Sequence, residues 1–553
     1  MLTIAPLSLL MFTAFAVLAP SRFVAQDAAR GNPAELARLE RIEDLTEDLA
    51  NDLLELSIAV RDRNAGAMQR HFAAEMECVP LPCSAEEPAS TQKWLMVRKF
   101  KAAAGGAAAR KGNDYLADWM QLLSVFKSIE DVRFKAKEAD FDATEHASAR
   151  TAFNIIGRNH KGEREWLKGS IRIKAVKNAG HWQWTRSEPL SVESMISKQE
   201  LFSEVSAPAG ISVPLPAYKG GYAWYGAATA DLDGDGFLDV VSTTGGRTRL
   251  FMSVGGTHFV DRTTSAGLDA LNSGLQPLFL DADGDGDLDL FLSAIGPQVL
   301  LENRLIPDGK LAFEDISLSA GVARDAIGFS AIAADFTGDG RLDIYVCSYN
   351  HYGRVTPNAW AKATNGTPNL LFVAKKEGGF EECAARFKLD DRRWSYAAAA
   401  ADVNRDGRLD LAVANDFGEK GLFINKGDHF EDEAATRGTT DPGNGMGVAW
   451  GDFDNDGHLD LHASNMSSTA GNRILGRIFE KNQGVGPLLK KLAAGNNLLR
   501  NRGDGTFEDV TSAIGGFSGG WAWGGGFIDF DNDGWSDFFT PNGFVSGPSM
   551  KDT

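Results

Sequence analysis

Six short aspartate-rich stretches hold the residues of this chain best placed to do chemistry together. They are Asp231–Asp239, Asp281–Asp289, Asp335–Asp343, Asp402–Asp410, Asp452–Asp460 and Asp529–Asp537, and they share the pattern D-x-[D/N/T]-x-D-G-x-x-D. Side chains at positions 1, 3, 5 and 9 converge on one point only if the backbone wraps tightly between them. The glycine at position 6 permits that wrap, because it takes a positive φ at little cost. A cluster of hard anionic oxygens, with one backbone carbonyl from position 7, suits Ca²⁺, which accepts 6–8 oxygens in a flexible shell.

The candidate ligands of the first loop are Asp231, Asp233, Asp235 and Asp239 with the carbonyl of Phe237, and those of the second are Asp281, Asp283, Asp285 and Asp289 with that of Asp287. The third offers Asp335, Thr337, Asp339, Asp343 and the carbonyl of Arg341; the fourth offers Asp402, Asn404, Asp406, Asp410 and that of Arg408. The fifth offers Asp452, Asp454, Asp456, Asp460 and the carbonyl of His458; the sixth offers Asp529, Asp531, Asp533, Asp537 and that of Trp535. With one carboxylate fewer, the third and fourth are expected to hold an ion least well, and Arg405 beside the fourth weakens it further.

These are not EF-hands, which place a bidentate Glu at position 12 between helices. Here the flanks are short and apolar, Gly226–Ala230 before the first loop and Val240–Thr243 after it, and read as strands. A single copy could be an acidic hairpin with no metal. Six copies in one frame favour the ion, since like charges packed this closely repel.

A second half-motif follows each of the first five loops: an apolar strand, a Gly/Asn turn and a closing strand. Leu498–Thr511 is the fullest version, and Leu422–Asp432 and Leu250–Asp261 repeat it. Loop and half-motif together resemble the FG-GAP/VCBS repeats of integrin-α-type β-propellers, from about residue 199 to the end. The layout is similar to that of ASPIC/UnbV-containing VCBS proteins. The resemblance implies a mainly β fold: a β-propeller of six four-stranded blades with Ca²⁺-binding loops, a seventh blade being left open. It implies a binding or adhesion module for a protein or glycan ligand on a propeller face. After the sixth loop only one strand's worth of chain remains, so the expectation is a truncated last blade, or one completed by Leu201–Ser206, which resembles the closing half-motif. Arg502-Gly503-Asp504 is an RGD triplet inside the repeat's own turn and is read as turn geometry.

The loops lie 50, 54, 67, 50 and 77 residues apart, and a four-stranded blade needs about 40–50. The surplus falls in Ser348–Pro368 and in Ser467–Asn496, where Arg473–Phe479 and Pro487–Leu492 look helical. Insertions of this kind carry binding.

The chain has 553 residues, 56 Lys+Arg, 75 Asp+Glu and a net charge of −19. The loops hold 23 aspartates, and without them the chain would stand near +4, so the acidity belongs to the loops. This balance argues against nucleic acid, whose binders carry basic stripes. Residues 2–19 are almost unbroken apolar and small residues follow, which reads as a secretory signal within 1–26 and a secreted, periplasmic or cell-surface protein. The same run retained would be a membrane anchor. Of the four cysteines, Cys78 and Cys83 flank a tight Val-Pro-Leu-Pro loop and are the first candidate pair beside Cys347 and Cys383.

Residues 33–195 read as a separate α+β domain. Leu36, Leu39, Ile42, Leu45, Leu49, Leu53, Leu56 and Val60 recur at helical spacing. Residues 75–112 read as irregular, and Asp114–Phe126 as a second helix. Four alternating stretches then read as an antiparallel sheet: Val132–Ala139, Ser148–Ile156, Glu165–Val176 and His181–Leu190. This order is similar to the cone-shaped SnoaL-like fold, some of whose members are enzymes. His146, His160, His181 and Asp140 are the acid–base candidates, with no spacing that singles out a pair. An exported enzyme, with its site in the cone domain or the propeller channel, is therefore the alternative to a binding module.

Overall fold

The computed structural model describes residues 33–82, 85–91, 94–100, 108–142, 146–200, 202–212, 225–244, 247–271, 274–351, 354–359, 361–467, 491–492, 494–515, 519–520 and 522–542. The apolar run at 2–19, Cys83, Leu201 and most of the second insertion lie outside them. The chain divides into two compact units, one running to Glu204 and the other beginning at Val205.

The first unit runs α1 (Pro33–Arg61), α2 (Ala65–Gln69), β1 (Phe72–Cys78), β2 (Ala85–Thr91), β3 (Leu95–Phe100), β4 (Ala108–Lys111), α3 (Gly112–Leu123), β5 (Phe126–Phe141), β6 (His146–Asn159), β7 (Arg164–Asn178) and β8 (His181–Ser197). Leu45, Leu49, Leu53, Leu56 and Val60 are buried, so one stripe of α1 faces inward, and the helix lies against β5. Strands β5 to β8 pair antiparallel in chain order, as the alternation predicts. Ala179 and Gly180 take φ of 49° and 86° in the β7–β8 turn, the two left-handed positions that match a hairpin to strand twist. Tyr115, Trp119, Phe153, Trp182 and Trp184 are buried and fill the unit's interior.

The described residues within 75–112 are not irregular. They supply most of β1 and all of β2, β3 and β4, with β3 antiparallel to β8 and β1 parallel to it. Prolines hid these strands, yet the β2–β3 register slips at Pro88, where a strand edge tolerates the missing N–H. Cys78, Cys347 and Cys383 are buried free thiols. In place of the expected local bridge, Cys78 Sγ accepts a long contact from Arg110 at 3.9 Å.

The second unit repeats one meander. Its sheets are β9 (Tyr225–Ala230), β10 (Asp239–Thr244), β11 (Arg247–Val254) and β12 (His258–Asp261); β13 (Gly274–Leu280), β14 (Asp289–Pro297), β15 (Val299–Asn303) and β16 (Phe313–Asp315); β17 (Asp325–Ala334), β18 (Asp343–Ser348), β19 (Leu370–Ala374) and β20 (Phe380–Glu382). There follow β21 (Ser395–Ala401), β22 (Asp410–Asn415), β23 (Gly421–Asn425) and β24 (Phe430–Asp432); β25 (Gly445–Gly451), β26 (Asp460–Asn465), β27 (Asn497–Asn501) and β28 (Phe507–Asp509); and the pair β29 (Gly526–Ile528) and β30 (Asp537–Phe539). Within each set the strands pair antiparallel in chain order, and β14 also pairs with β17. The first strands stand side by side, β9 by β13, β13 by β17, β17 by β21, β21 by β25 and β25 by β29. Meanders packed through their first strands are the blades of a β-propeller. Second strands β18, β22 and β26 are buried along their whole length, polar residues such as Asp460, His462 and Asn465 included.

The sixth blade has two strands among the described residues, against four in each of the other five. Phe202–Val205 is not part of any strand among the described residues. The turn that follows it places the Ala209 carbonyl on Phe259 N–H at 2.8 Å, as Ala266 meets Phe313 and Ala320 meets Phe380. The closing half-motif ends in a turn that caps the next blade's outer strand, and the stretch before blade one supplies that turn instead of completing blade six.

Candidate metal centre

All six aspartate loops connect a blade's first strand to its second, so they share one end of the blades. The first insertion joins a second strand to a third and so lies at the other end; most of the second, between β26 and β27, lies outside the described residues. The 349–369 insertion is packed there: the Tyr349 hydroxyl donates to buried Asp416 at 2.5 Å and Trp394 Nε1 to Asn365 at 2.9 Å.

Each loop is wound by its own carboxylates. The position-1 aspartate accepts from the position-6 glycine N–H, from 2.8 Å at Gly236, Gly340, Gly407 and Gly457 to 3.2 Å at Gly286. The position-5 aspartate accepts from the position-7 N–H at 2.9–3.0 Å. Position 6 is left-handed in all six, as expected. Position 4 is left-handed as well: Gly234, Gly284 and Gly338, then Arg405, Asn455 and Asn532 at φ 56–60°. The Gly/Asn content at that position was the available signal.

Position 9 has a second role that spacing alone did not disclose. Asp239, Asp289, Asp343, Asp410 and Asp460 are buried. One oxygen of each accepts from the position-2 N–H and the other from the third strand of the same blade, as in Asp289 with Ala282 at 2.8 Å and Asn303 at 2.8 Å. Asp343 does this with Phe336 and Ala374, and Asp410 with Val403 and Asn425. Burial pushes Asp289 up to about 7 and Asp343, Asp410 and Asp460 up to about 6.

The loops differ in what faces their oxygens. Acidic oxygens from three residues lie within 4.8 Å of one another at Asp231/Asp233/Asp239, Asp281/Asp283/Asp285, Asp452/Asp454/Asp460 and Asp529/Asp531/Asp537. Loops three and four form no such group among the described residues. There the position-7 arginines turn back onto position 5, Arg341 on Asp339 and Arg408 on Asp406 at 2.5 Å. Arg405 points away from its own loop and donates to the Gly457 carbonyl of loop five. In loop five Arg500 pairs with Asp454 at 2.6 Å and Asp456 at 3.1 Å. Elsewhere at position 7, Phe237 and Trp535 are exposed, and the Asp287 carboxylate accepts from Ile306 N–H at 2.8 Å.

The acid–base candidates of the first unit do not assemble. His146 pairs with Asp142 at 3.3 Å, His160 meets the Ser124 carbonyl at 2.9 Å, and Asp140 is exposed on β5. His181 instead meets Asp52 of α1, a residue that no motif marks. In the RGD triplet, Asp504 accepts from Thr506 N–H at 2.9 Å and Gly503 is left-handed, so the triplet is the β27–β28 turn.

A family model for the FG-GAP-like repeat matches residues 215–292, 402–463 and 492–540. The chain carries FG-GAP-like repeats. The matched segments contain loops one, two, four, five and six. Among curated proteins, human cartilage acidic protein 1 is 26% identical over 392 residues, covering 58% of this chain and 56% of that protein. The mouse protein is 27% identical over 301 residues, covering 51% and 41%. The chain thus spans about half the length of the curated relatives it matches. Among solved structures, an Agrocybe aegerita lectin recognising non-reducing terminal N-acetylglucosamine is 15% identical, covers 85% of this chain and 99% of its own, and has a TM-score of 0.32. LinA is 14% identical, covers 28% and 89%, and has a TM-score of 0.20. At these scores neither structure carries an argument about this chain.

Proposed function

We propose that this protein is an exported, Ca²⁺-dependent β-propeller that binds a protein or glycan, with Ca²⁺ acting as a structural staple. The observation that carries this reading is the gathering of acidic oxygens within 4.8 Å at four loops of one recurring frame. At loops one and two no lysine or arginine among the described residues pairs with the position-1, -3 or -5 aspartates. Ca²⁺ would neutralise oxygens that the winding of the loop forces together. The side chains at positions 1, 3 and 5 and the position-7 carbonyl would supply ligands, with position 9 holding the loop to its blade and contributing an oxygen where it faces the cluster. The apolar run at 2–19 supports export. The insertion between β18 and β19, at the blade end opposite the loops, is the surface assigned to the ligand, because inserted loops on a rigid scaffold carry recognition. Melting the protein in chelator and in millimolar Ca²⁺ tests the staple, and coincident curves sink it. A glycan and protein array probed in both conditions tests the binding module; no Ca²⁺-dependent ligand in either class would overturn that part.

A further inference from the structure

In the first unit two histidines share one buried carboxylate. Asp52 on α1 is 6% exposed; its Oδ2 meets Nδ1 of His71, 2% exposed, at 2.9 Å, and its Oδ1 meets Nδ1 of His181 at 3.2 Å. One helical turn on, Glu55 Oε2 stands 3.7 Å from the same His181 nitrogen and is 56% exposed. Asp52 and Glu55 are i and i+3 on α1, so they lie on one face. His181 opens β8, immediately after the tight β7–β8 turn, which delivers the imidazole to that face.

We propose that Asp52, Glu55 and His181 form a binding site for a divalent transition metal of the zinc type, unrelated to the aspartate loops. Ligands 2.0–2.1 Å from a tetrahedral Zn²⁺ stand about 3.4 Å apart, and the two His181 separations, 3.2 and 3.7 Å, bracket that spacing. The imidazole nitrogen favours zinc over calcium, whose ligands are oxygens. His71 meets the other oxygen of Asp52, not the one that meets His181. It holds the far oxygen of Asp52, the arrangement by which an outer partner fixes a metal-bound carboxylate. Charge agrees. Asp48, one turn earlier on α1, is matched by Lys177 at 2.6 Å and by Trp182 Nε1 at 3.0 Å. Among the described residues no lysine or arginine pairs with Asp52 or Glu55. Two carboxylates and an imidazole leave the fourth position open on the exposed Glu55 side, so the site would take a water or an exogenous ligand.

The test is Zn²⁺ uptake by the full chain, dialysed against excess Ca²⁺ to fill the aspartate loops, with metal content measured and Co²⁺ absorption as a second readout. Wild type should retain one Zn²⁺ more than Glu55→Gln or His181→Ala, each of which should weaken uptake at least tenfold. Both positions are partly exposed, and circular dichroism confirms that the variants fold. Asp452→Asn, which damages a loop, should leave this zinc in place. Zinc uptake unchanged in both Glu55→Gln and His181→Ala, or no zinc retained by wild type, overturns the proposal. A loss in Asp452→Asn alone would move the ion to the propeller and overturn it equally.

Discussion

Loops one and two and loops three and four have nearly the same backbone and opposite electrostatics. In the first pair the carboxylates crowd one another with no internal cation. In the second an arginine two residues past position 5 folds back and neutralises it. The same winding can therefore be closed in two ways, by an ion from solvent or by a guanidinium from the chain. The third-strand Arg500 places loop five between the two solutions. The repeat conserves geometry through position 1, position 6 and position 9, and varies the counter-charge.

Removing the ion should break the comparison most visibly. Ca²⁺ at 100 times its Kd stabilises by about 2.7 kcal/mol per site, so chelation should lower the melting temperature of the second unit while leaving the first unit's transition in place. Calorimetry in chelator and in Ca²⁺ checks this; an equal shift of both transitions would contradict it.

The next effect is loss of a position-9 clamp. Asp289→Ala removes a buried carboxyl group that two backbone N–H groups require, and a buried donor left unsatisfied costs about 1–3 kcal/mol. The destabilisation should reach about 3 kcal/mol and persist in chelator, unlike that of Asp235→Ala. Urea unfolding with and without Ca²⁺ separates them; equal Ca²⁺ sensitivity would refute a clamp that works without the ion.

The same residues fix a pH dependence. With folded-state values pushed up to about 7 for Asp289 and about 6 for Asp343, Asp410 and Asp460, these carboxyls bind protons more tightly folded than unfolded. Their contribution is complete below about 4, the unfolded value, and is lost as pH rises through 6 and 7. The ion-free propeller should melt higher at pH 5 than at pH 8. The Ca²⁺-loaded one should not, because ion binding needs the ionised carboxylates. A melting temperature in chelator that rises from pH 5 to pH 8 would contradict this.

Much of this was legible in the sequence. The period of the aspartates located the loops, and their flanks located the strands on either side. The missing carboxylates at Thr337 and Asn404 already ranked loops three and four below the others. What stayed hidden depends on three-dimensional neighbours. Position 9 faces a third strand that lies 14 residues on in loop two and 41 in loop five. Arg405 looked like a charge against its own loop and instead reaches the next. In the first unit, Pro80, Pro82 and Pro88 hid β1 and β2, and the helical period of α1 did not disclose His71 or His181 beside Asp52.

A smaller prediction concerns position 4. Arg405 is left-handed at φ 60° where loops one to three have glycine. Comparing Arg405→Ala with Arg405→Gly removes the side-chain bond to Gly457 in both and isolates the backbone term. A left-handed Ala costs roughly 1–2 kcal/mol, partly offset by the extra unfolded-state freedom of glycine. Glycine should be the more stable by about 0.5–1 kcal/mol; equality would mean the loop relaxes out of the left-handed conformation.

The finest test swaps the counter-charge itself. Arg408 is 44% exposed and Asp406 28%, so their pair lies in the range of about 0.2–1 kcal/mol for exposed ion pairs. Arg408→Ala frees the position-5 carboxylate and should tighten Ca²⁺ at loop four by up to about fivefold, the same energy read as affinity. Loop four still lacks a carboxylate at Asn404, so it should remain weaker than loop one. In consequence Asp235→Ala should destabilise more than Asp406→Ala at intermediate Ca²⁺, and Arg408→Ala should narrow that gap without closing it. Crystals soaked in graded Ca²⁺ give the order of filling directly. Loop four full while loop one is empty would refute the ranking, and an Arg408→Ala protein with unchanged occupancy at loop four would refute the role of the guanidinium.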